Sequence, residues 1–188
     1  MQIGDKIIFG KYEWRVLDVQ SNMSLIITED IIETRPYNGI RKEITWADCE
    51  LRKYLNGDFY DKFNEIEKSR LIPIINGNPD NTWYGTTGGV DTQDNIFLLS
   101  VEEAVCKYFG DSSSLLLNRG NRKYWFGRKD ENNNKRVAKL ENNASWWWLR
   151  SPGHVKRAAY IHGGGEVGLN GNGVQSRGGI RPALWLSL

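Results

Sequence analysis

The start of the chain alternates between short apolar runs and pairs of turn-forming residues. The runs are rich in β-branched and aromatic side chains and cover residues 6–9, 12–19 and 24–28. Short runs of this composition, divided by turn residues, are typical of strands joined by hairpins. We therefore expect an antiparallel meander of three strands.

Three stretches with helical spacing follow the meander. In residues 45–57 apolar side chains recur every three or four positions, Thr45 is placed to cap the first turn, and Gly57 supplies a stop. A shorter helix is expected after Asn64. Another is expected in residues 100–110, where a capping box precedes an apolar stripe and a glycine ends it.

Polar loops and further strands make up the rest of the pattern. Residues 76–94 are polar and glycine-rich, which predicts an irregular surface loop that leads into a strand at 95–99. Three more strands are expected at 146–150, 158–161 and 180–186. Because the helices come early and strands lie at both ends, the pattern predicts an α+β fold.

Composition limits the class of protein. The 188 residues are 39% hydrophobic and include 8 Trp, 8 Tyr and 6 Phe, enough to fill the core of a single domain over residues 1–188. The net charge is only +2, unlike the basic balance of a dedicated DNA-binding domain. No apolar run is long enough to span a membrane and no signal peptide is present, so we expect a cytoplasmic or virion-associated location.

Two segments near the C-terminus carry a family resemblance. They are WWLRSPG at 147–153 and GIRPALW at 179–185, with further likeness at 8–17, 45–56 and 97–100. Through them the chain resembles a bacterial and phage-borne family of unnamed function in the C-type-lectin and formylglycine-generating-enzyme-like superfamily. The resemblance implies a C-type-lectin-like fold, with antiparallel sheets, two or three helices and a glycine-rich C-terminal half that contains loops. It implies no established reaction.

Some proteins with this ending are variable proteins, the targets of diversity-generating retroelements that rewrite adenines in the codons between the two motifs. By this resemblance the intervening positions form a variable ligand-binding surface. The positions that match are His154, Val155, Arg157, Tyr160, His162, Gly163, Leu169, Asn170, Asn172, Gln175 and Arg177. Lys156, Glu166 and Gln175 depart from the pattern, because an Asn codon altered only at adenines cannot encode them.

The residues of this segment also have a direct physical interpretation. Nine of the 20 glycines lie between positions 153 and 179, where they permit tight turns. Single apolar residues recur there at intervals of six, seven and six, and we expect them to point into the core: Ile161, Val167, Val174 and Ile180. The residues between them are expected to point outward, with Arg157 and Tyr160 as the strongest anchors for a ligand. The alternative is a set of solvated glycine-rich loops without a binding role.

The motif tryptophans and arginines are expected to be structural. Trp146 and Trp148 share one face of a strand and Trp147 lies on the other, so the three cannot form one sugar-stacking platform. Core packing is the preferred interpretation. Arg150 and Arg181 are expected to pair with a buried carboxylate or carbonyl, although an anion clamp is an alternative.

The sequence gives little support for reactive chemistry. His154 and His162 are eight positions apart and no cysteine is near them, so we predict no metal site. Cys49 and Cys106 fall on apolar stripes of predicted helices, which indicates buried, reduced thiols and not nucleophiles. No phosphate-binding glycine loop is present. We predict no cofactor and no enzymatic activity.

Residues 119–139 support an alternative function. Eight Lys and Arg side chains surround Tyr124, Trp125 and Phe126 in what is expected to be a long, exposed excursion. Such cations neutralise phosphates and such rings stack on bases, so nucleic-acid binding is one alternative. An enzyme with an unrecognised site is another. The preferred hypothesis is a ligand-recognition protein whose glycine-rich C-terminal surface binds a protein or a glycan.

Overall fold

The computed structural model describes residues 1–111 and 131–188. The strands of these residues are β1 Lys6–Phe9, β2 Tyr12–Gln20, β3 Met23–Thr28, β4 Glu33–Arg35, β5 Leu71–Ile72, β6 Ile74–Asn76, β7 Thr92–Asp94, β8 Ala138–Leu140, β9 Asn143–Ser145, β10 Trp147–Pro152, β11 Arg157–Ile161, β12 Val167–Gly173, β13 Gly178–Ile180 and β14 Ala183–Ser187. The helices are α1 Glu50–Tyr54, α2 Glu65–Lys68 and α3 Glu131–Arg136, with π-helical turns at Leu55–Phe59 and Glu103–Lys107 and a 3-10 turn at Tyr60–Lys62. Antiparallel sheet dominates and the helices are short, so the chain is a mixed α+β protein, as the sequence predicts.

The first sheet confirms the predicted meander. Its strand order is β1-β2-β3-β14-β5, and all of its pairings are antiparallel. The last strand, β14, lies against β3, with Trp185 opposite Leu25 and Ala183 opposite Ile27. The C-terminal strand thereby closes the sheet that the N-terminal hairpins begin.

The second sheet holds the glycine-rich C-terminal segment. Its order is β12-β11-β10-β13-β4, with β10 and β13 parallel and the other pairs antiparallel. The strand expected at 180–186 is in fact two strands, because the chain leaves the second sheet after Ile180 and enters the first at Ala183. Arg181 and Pro182 make this crossing, and the Pro182 carbonyl accepts a hydrogen bond from the Thr28 N–H.

Both sheets contribute to one buried cluster of apolar side chains. The four residues predicted to point inward from the C-terminal segment are fully buried, namely Ile161, Val167, Val174 and Ile180. Trp147 and Trp148 are also fully buried, which confirms their predicted place in the core. Their indole N–H groups donate to the carbonyls of Arg136 and Arg35, so burial leaves neither of them unpaired.

The helix expected over 45–57 is shorter than predicted and displaced. It begins at Glu50, with the Cys49 thiol as its cap, because the indole N–H of buried Trp46 donates to Asp94 and holds residues 45–48 in a turn. Gly57 does not end it but lies within the following π-helical turn. The expected helix after Asn64 is confirmed, with a complete capping box. No helix in the described residues is long and apolar enough to cross a membrane.

The predictions for residues 76–99 are partly wrong. The loop at 76–94 is not simply a surface loop, since Asn78, Asn81 and Trp83 are buried within it. The strand expected at 95–99 makes only an isolated bridge between Phe97 and Ala183. A neighbouring side chain replaces the missing strand partner: the Asn56 amide accepts hydrogen bonds from two backbone N–H groups there and donates to the Ile96 carbonyl.

Candidate functional site

The structure divides the eleven predicted ligand-binding residues by exposure. Six are exposed: His154, Val155, Arg157, His162, Gln175 and Arg177. Four are half-buried: Tyr160, Gly163, Asn170 and Asn172. Leu169 is 2% exposed, so its predicted outward position is wrong. The cause is strand alternation, because Leu169 lies two residues after the inward-pointing Val167 on β12 and shares its face.

Three of the exposed residues border a cleft of about 450 Å³. Segments 43–48, 84–87 and 152–157 line this cleft, and together they contribute Glu43, Ile44, Thr45, Asp48, Tyr84, Gly85, Thr86, Thr87, Pro152, Gly153, His154, Val155, Lys156 and Arg157. The C-terminal segment thus forms one wall, and two segments distant in sequence form the rest. We refer to this space as the cleft.

Hydrogen bonds from the middle segment fix the cleft to the C-terminal sheet. The Asn81 side-chain amide donates to the carbonyls of Pro152, at 2.8 Å, and Leu169, at 3.0 Å. The Thr86 hydroxyl donates to the Gly153 carbonyl at 2.6 Å. Because Asn81 is buried, these bonds are shielded from water and hold the 84–87 segment against the 152–157 turn.

The 152–157 turn is itself closely determined. The Gly153 N–H donates to the Arg157 carbonyl, and the Arg157 N–H donates to the His154 carbonyl, both at 2.9 Å. A Cβ on Gly153 would lie 2.7 Å from the Asn170 carbonyl oxygen, so no side chain fits there. Lys156 has a φ of 59°, a left-handed conformation that an L-residue adopts at a cost of about 1–2 kcal/mol.

The cleft is rich in charges of both signs. Glu43 and Asp48 are exposed on one segment, and Lys156 and Arg157 on another. Within the described residues none of these four makes an ion pair, and Arg157 has only a 3.4 Å contact with the Gly171 carbonyl. Their charges are therefore available to a bound molecule.

Aromatic rings extend the surface along β11. Trp146 lies 5.5 Å from Tyr160, and Tyr160 lies 6.4 Å from His162, measured between ring centroids. We call these three the aromatic row. Burial raises the pKa of Tyr160, and the nearby Arg157 guanidinium opposes that rise. The Arg157 charge therefore acts on the aromatic row as well as at the cleft.

Two glycines make room for the aromatic row. A Cβ on Gly168 would lie 2.2 Å from the Tyr160 ring, and one on Gly178 would lie 2.4 Å from the Trp146 ring. The rings therefore lie directly on backbone of the second sheet. Trp146 is half-buried, so the core position expected for all three motif tryptophans holds for Trp147 and Trp148 and only in part for Trp146.

The remaining predicted residues do not line the cleft. The Gln175 side chain donates to the Gly39 carbonyl at 3.0 Å, and the Arg177 side chain donates to the Thr34 carbonyl at 2.8 Å. Both are exposed and contact the segment around β4. They therefore provide natural controls for the role of the cleft.

Sequence reasoning missed the part of the cleft that lies outside the C-terminal segment. The pattern predicts only a helix start at Thr45, and Tyr84 falls within the irregular loop predicted at 76–94. The signal that was present is an aromatic residue followed by glycine inside a polar stretch, Tyr84-Gly85, because such a ring is seldom left in solvent without a contact. Its ring lies 5.3 Å from that of His154.

The two motif arginines find the partners expected of them. Arg150 pairs with the Glu103 carboxylate through two nitrogens, and the Arg181 Nε donates to the Thr28 carbonyl at 2.8 Å. The Arg181 guanidinium also lies over the Trp147 ring, yet its Nη1 has no hydrogen-bond partner within the described residues. Burial lowers the pKa of Arg181 to about 10.

The basic segment lies largely outside the described residues, which exclude 112–130. In its described end, Lys135 and Lys139 are exposed but Arg136 is fully buried. Arg136 pairs with Asp111 at 2.7 Å and donates to the Gly165 carbonyl at 2.9 Å. Its expected contribution to an exposed, phosphate-contacting surface is therefore wrong, because its charge is already paired inside the protein.

Neither a metal cluster nor an activated thiol is present in the described residues. No group of three or more His, Cys, Asp or Glu side chains there could hold a metal ion. Both cysteines are free, with Cys49 buried and Cys106 half-buried. Burial raises the pKa of the Cys49 thiol to about 12 and that of Cys106 to about 11.

These raised pKa values predict slow thiol alkylation of the native protein. At about pH 8 only on the order of one Cys106 thiol in a thousand is ionised, and Cys49 is in addition closed to reagents. We expect iodoacetamide to label Cys106 slowly and Cys49 only after unfolding, as measured by mass spectrometry of peptides. Fast labelling of native Cys49 would contradict its buried position.

Comparison with known proteins assigns the chain to a family whose function is unknown. A family model described as "Domain of unknown function (DUF6273)" matches residues 21–188. No curated protein and no solved structure matches the chain. The matched residues include all three segments of the cleft and the whole aromatic row, so function has to be argued from the geometry of those residues.

Proposed function

The chain belongs to the family of DUF6273 domains, whose function is unknown, and we propose that it is a ligand-recognition protein that binds a protein or a glycan in the cleft. The observation that carries this proposal is the set of exposed charges without ion pairs around a concave site of about 450 Å³. Specific ligand sites are concave and hold a few convergent polar groups.

The same proposal includes the scaffold and its use. We propose a C-type-lectin-like scaffold without enzymatic activity that presents the segment between the two motifs as a variable surface, of which the part at the cleft, and not Gln175 or Arg177, contacts the ligand. Support comes from the closing antiparallel sheet, in which β14 lies against β3, and from the exposure of six of the eleven candidate positions. Support also comes from buried residues at 161, 167, 174 and 180, which anchor the segment regardless of what its exposed positions carry.

A binding screen with matched variants tests the location of the site. The wild-type protein is screened against a random linear peptide library and a glycan array. We expect the recovered ligands to lose binding to a His154→Ala/Arg157→Ala variant and to keep binding to a Gln175→Ala/Arg177→Ala control, whose residues are exposed but lie outside the cleft. Because all four side chains are exposed, the free energy of unfolding of both variants should lie within about 1 kcal/mol of the wild-type value.

The controls make the outcome decisive. If every recovered ligand binds the cleft variant as well as it binds the wild type, the cleft is not the recognition site. If the free energy of unfolding of the cleft variant is instead far lower than that of the wild type, the substituted residues are structural. The single variants His154→Gln and Arg157→Lys then replace it in the screen.

A further inference from the structure

We infer that the ligand of the cleft is an extended peptide segment that carries both an acidic and a basic side chain. This inference rests on the proposed recognition function and specifies its ligand. It follows from the arrangement of the charges around the cleft, the absence of partners for them within the described chain, and the geometry of the aromatic rings there.

The charges of the two signs lie on different walls. Glu43 and Asp48 belong to the 43–48 segment, and Lys156 and Arg157 to the 152–157 turn. The loop that includes 84–87 lies between them, since the Thr86 hydroxyl bonds the Gly153 carbonyl while a Cβ on Gly89 would lie 2.8 Å from Thr45. Within the described residues no ion pair joins the acidic to the basic groups, so each wall keeps its own charge.

The position of Lys156 adds to this argument. Its left-handed φ of 59° would be adopted without cost by glycine, the residue that recurs throughout this segment. A lysine there puts a long cation at the cleft at the expense of backbone strain. Backbone strain of this kind concentrates at binding sites, where the side chain is needed for contact.

A neutral glycan would use little of this site. Uncharged hydroxyl groups cannot compensate four ionised side chains, whereas a peptide with one basic and one acidic residue pairs with both walls and is oriented by them. The rings of Tyr84 and His154 are tilted by 56° to each other, so they do not form one flat face on which a sugar ring could stack. A dipolar peptide therefore fits the cleft better than a neutral sugar.

Charge reversal of each wall tests the inference. The peptide library is panned against the wild type, and the enriched peptides are expected to carry both an acidic and a basic residue. Their affinity should fall about tenfold or more when NaCl is raised from about 50 to about 500 mM. We expect a similar loss in Lys156→Glu/Arg157→Glu, none in the control Arg177→Glu, and recovery with charge-reversed peptides in a variant that also carries Glu43→Lys and Asp48→Lys.

The alternative outcomes separate the inference from the proposed function. Neutral glycans that bind independently of salt, and lose binding in Tyr84→Ala but not in Lys156→Glu/Arg157→Glu, would overturn the inference and leave the recognition site in place. Enriched peptides with a single sign of charge, or with binding indifferent to charge reversal, would overturn it as well. Ligands that ignore every cleft substitution would overturn both. Should a reversal variant fold poorly, Lys156→Gln/Arg157→Gln gives the same test.

Discussion

Replacing Arg150 with methionine is expected to lower the free energy of unfolding by about 3–5 kcal/mol. The Arg150 side chain is 3% exposed, and its guanidinium pairs with Glu103 and donates to the carbonyls of Leu98, at 2.9 Å, and Gly77, at 3.1 Å. Methionine fills a similar space but removes the donor to both carbonyls and leaves the Glu103 carboxylate with only the Ser100 N–H. A buried acceptor that has lost its partner keeps its full desolvation cost.

Arg181→Met is the matched control for this substitution. Arg181 is as deeply buried and comes from the second of the two motifs, but within the described residues it makes no ion pair, and burial lowers its pKa. The variant loses one hydrogen bond to the Thr28 carbonyl and the contact with the Trp147 ring but no longer buries a charge, so we expect its stability to change by no more than about 1 kcal/mol. Urea denaturation of both variants measures the difference. Equal losses would show that the ion pair with Glu103 is not what Arg150 contributes.

The pH dependence of the stability of the wild type and of Arg150→Met gives an independent check of the ion pair between Arg150 and Glu103. Burial alone would raise the pKa of Glu103, but the Arg150 guanidinium outweighs it and holds the pKa below its ordinary value of 4.5. A carboxyl with a lowered folded-state pKa stabilises the protein above its unfolded pKa, and this contribution is lost as pH falls through the folded value. Because Arg150→Met removes the guanidinium that lowers the pKa of Glu103, this pKa is higher in the variant, and the stability difference from the wild type should shrink as pH falls from the variant's pKa to that of the wild type.

Local sequence signals predicted the parts of the fold that depend on neighbouring residues. The three N-terminal strands, the capping box at Ser100 and the short helix after Asn64 are where the pattern expects them. The prediction failed where a distant side chain decides the backbone. The Trp46 indole donates to Asp94, and α1 begins at Glu50 and not at residue 46. The Asn56 side chain takes the place of a strand partner for residues 95–96.

The same distinction explains which part of the cleft the sequence predicted. His154, Val155 and Arg157 lie between two recognisable motifs, and the apolar residues around them fix which way the chain faces. Tyr84 joins them because Asn81 and Thr86 bind carbonyls of the C-terminal segment, and Glu43 and Asp48 join them because Gly89 of the same loop lies against Thr45. No spacing in the sequence encodes those long-range bonds. Leu169 was misplaced because residues 167–173 were not predicted as a strand, so the alternation that puts Leu169 on the same face as Val167 was not applied.

Gly165→Ala is expected to lower the free energy of unfolding by about 2–5 kcal/mol, the combined cost of backbone strain and overpacking. Gly165 has a φ of 87° in the turn between β11 and β12, and a Cβ there would lie 1.9 Å from the Asn133 carbonyl oxygen of α3. That oxygen belongs to the backbone of α3, and the helix cannot easily move away from Gly165. Its Arg136 is held by Asp111 and donates to the Gly165 carbonyl, which ties the helix to this turn.

Gly4→Ala separates the two parts of this cost. Gly4 has a φ of 93° and nothing within 4 Å of a Cβ, so alanine there meets backbone strain alone, about 1–2 kcal/mol. The excess loss of unfolding free energy in Gly165→Ala, measured by urea denaturation of both variants, reports the contact between α3 and the turn that joins β11 to β12. If the two variants lose equal free energy of unfolding, the contact between α3 and this turn does not add to the cost of the Gly165 substitution.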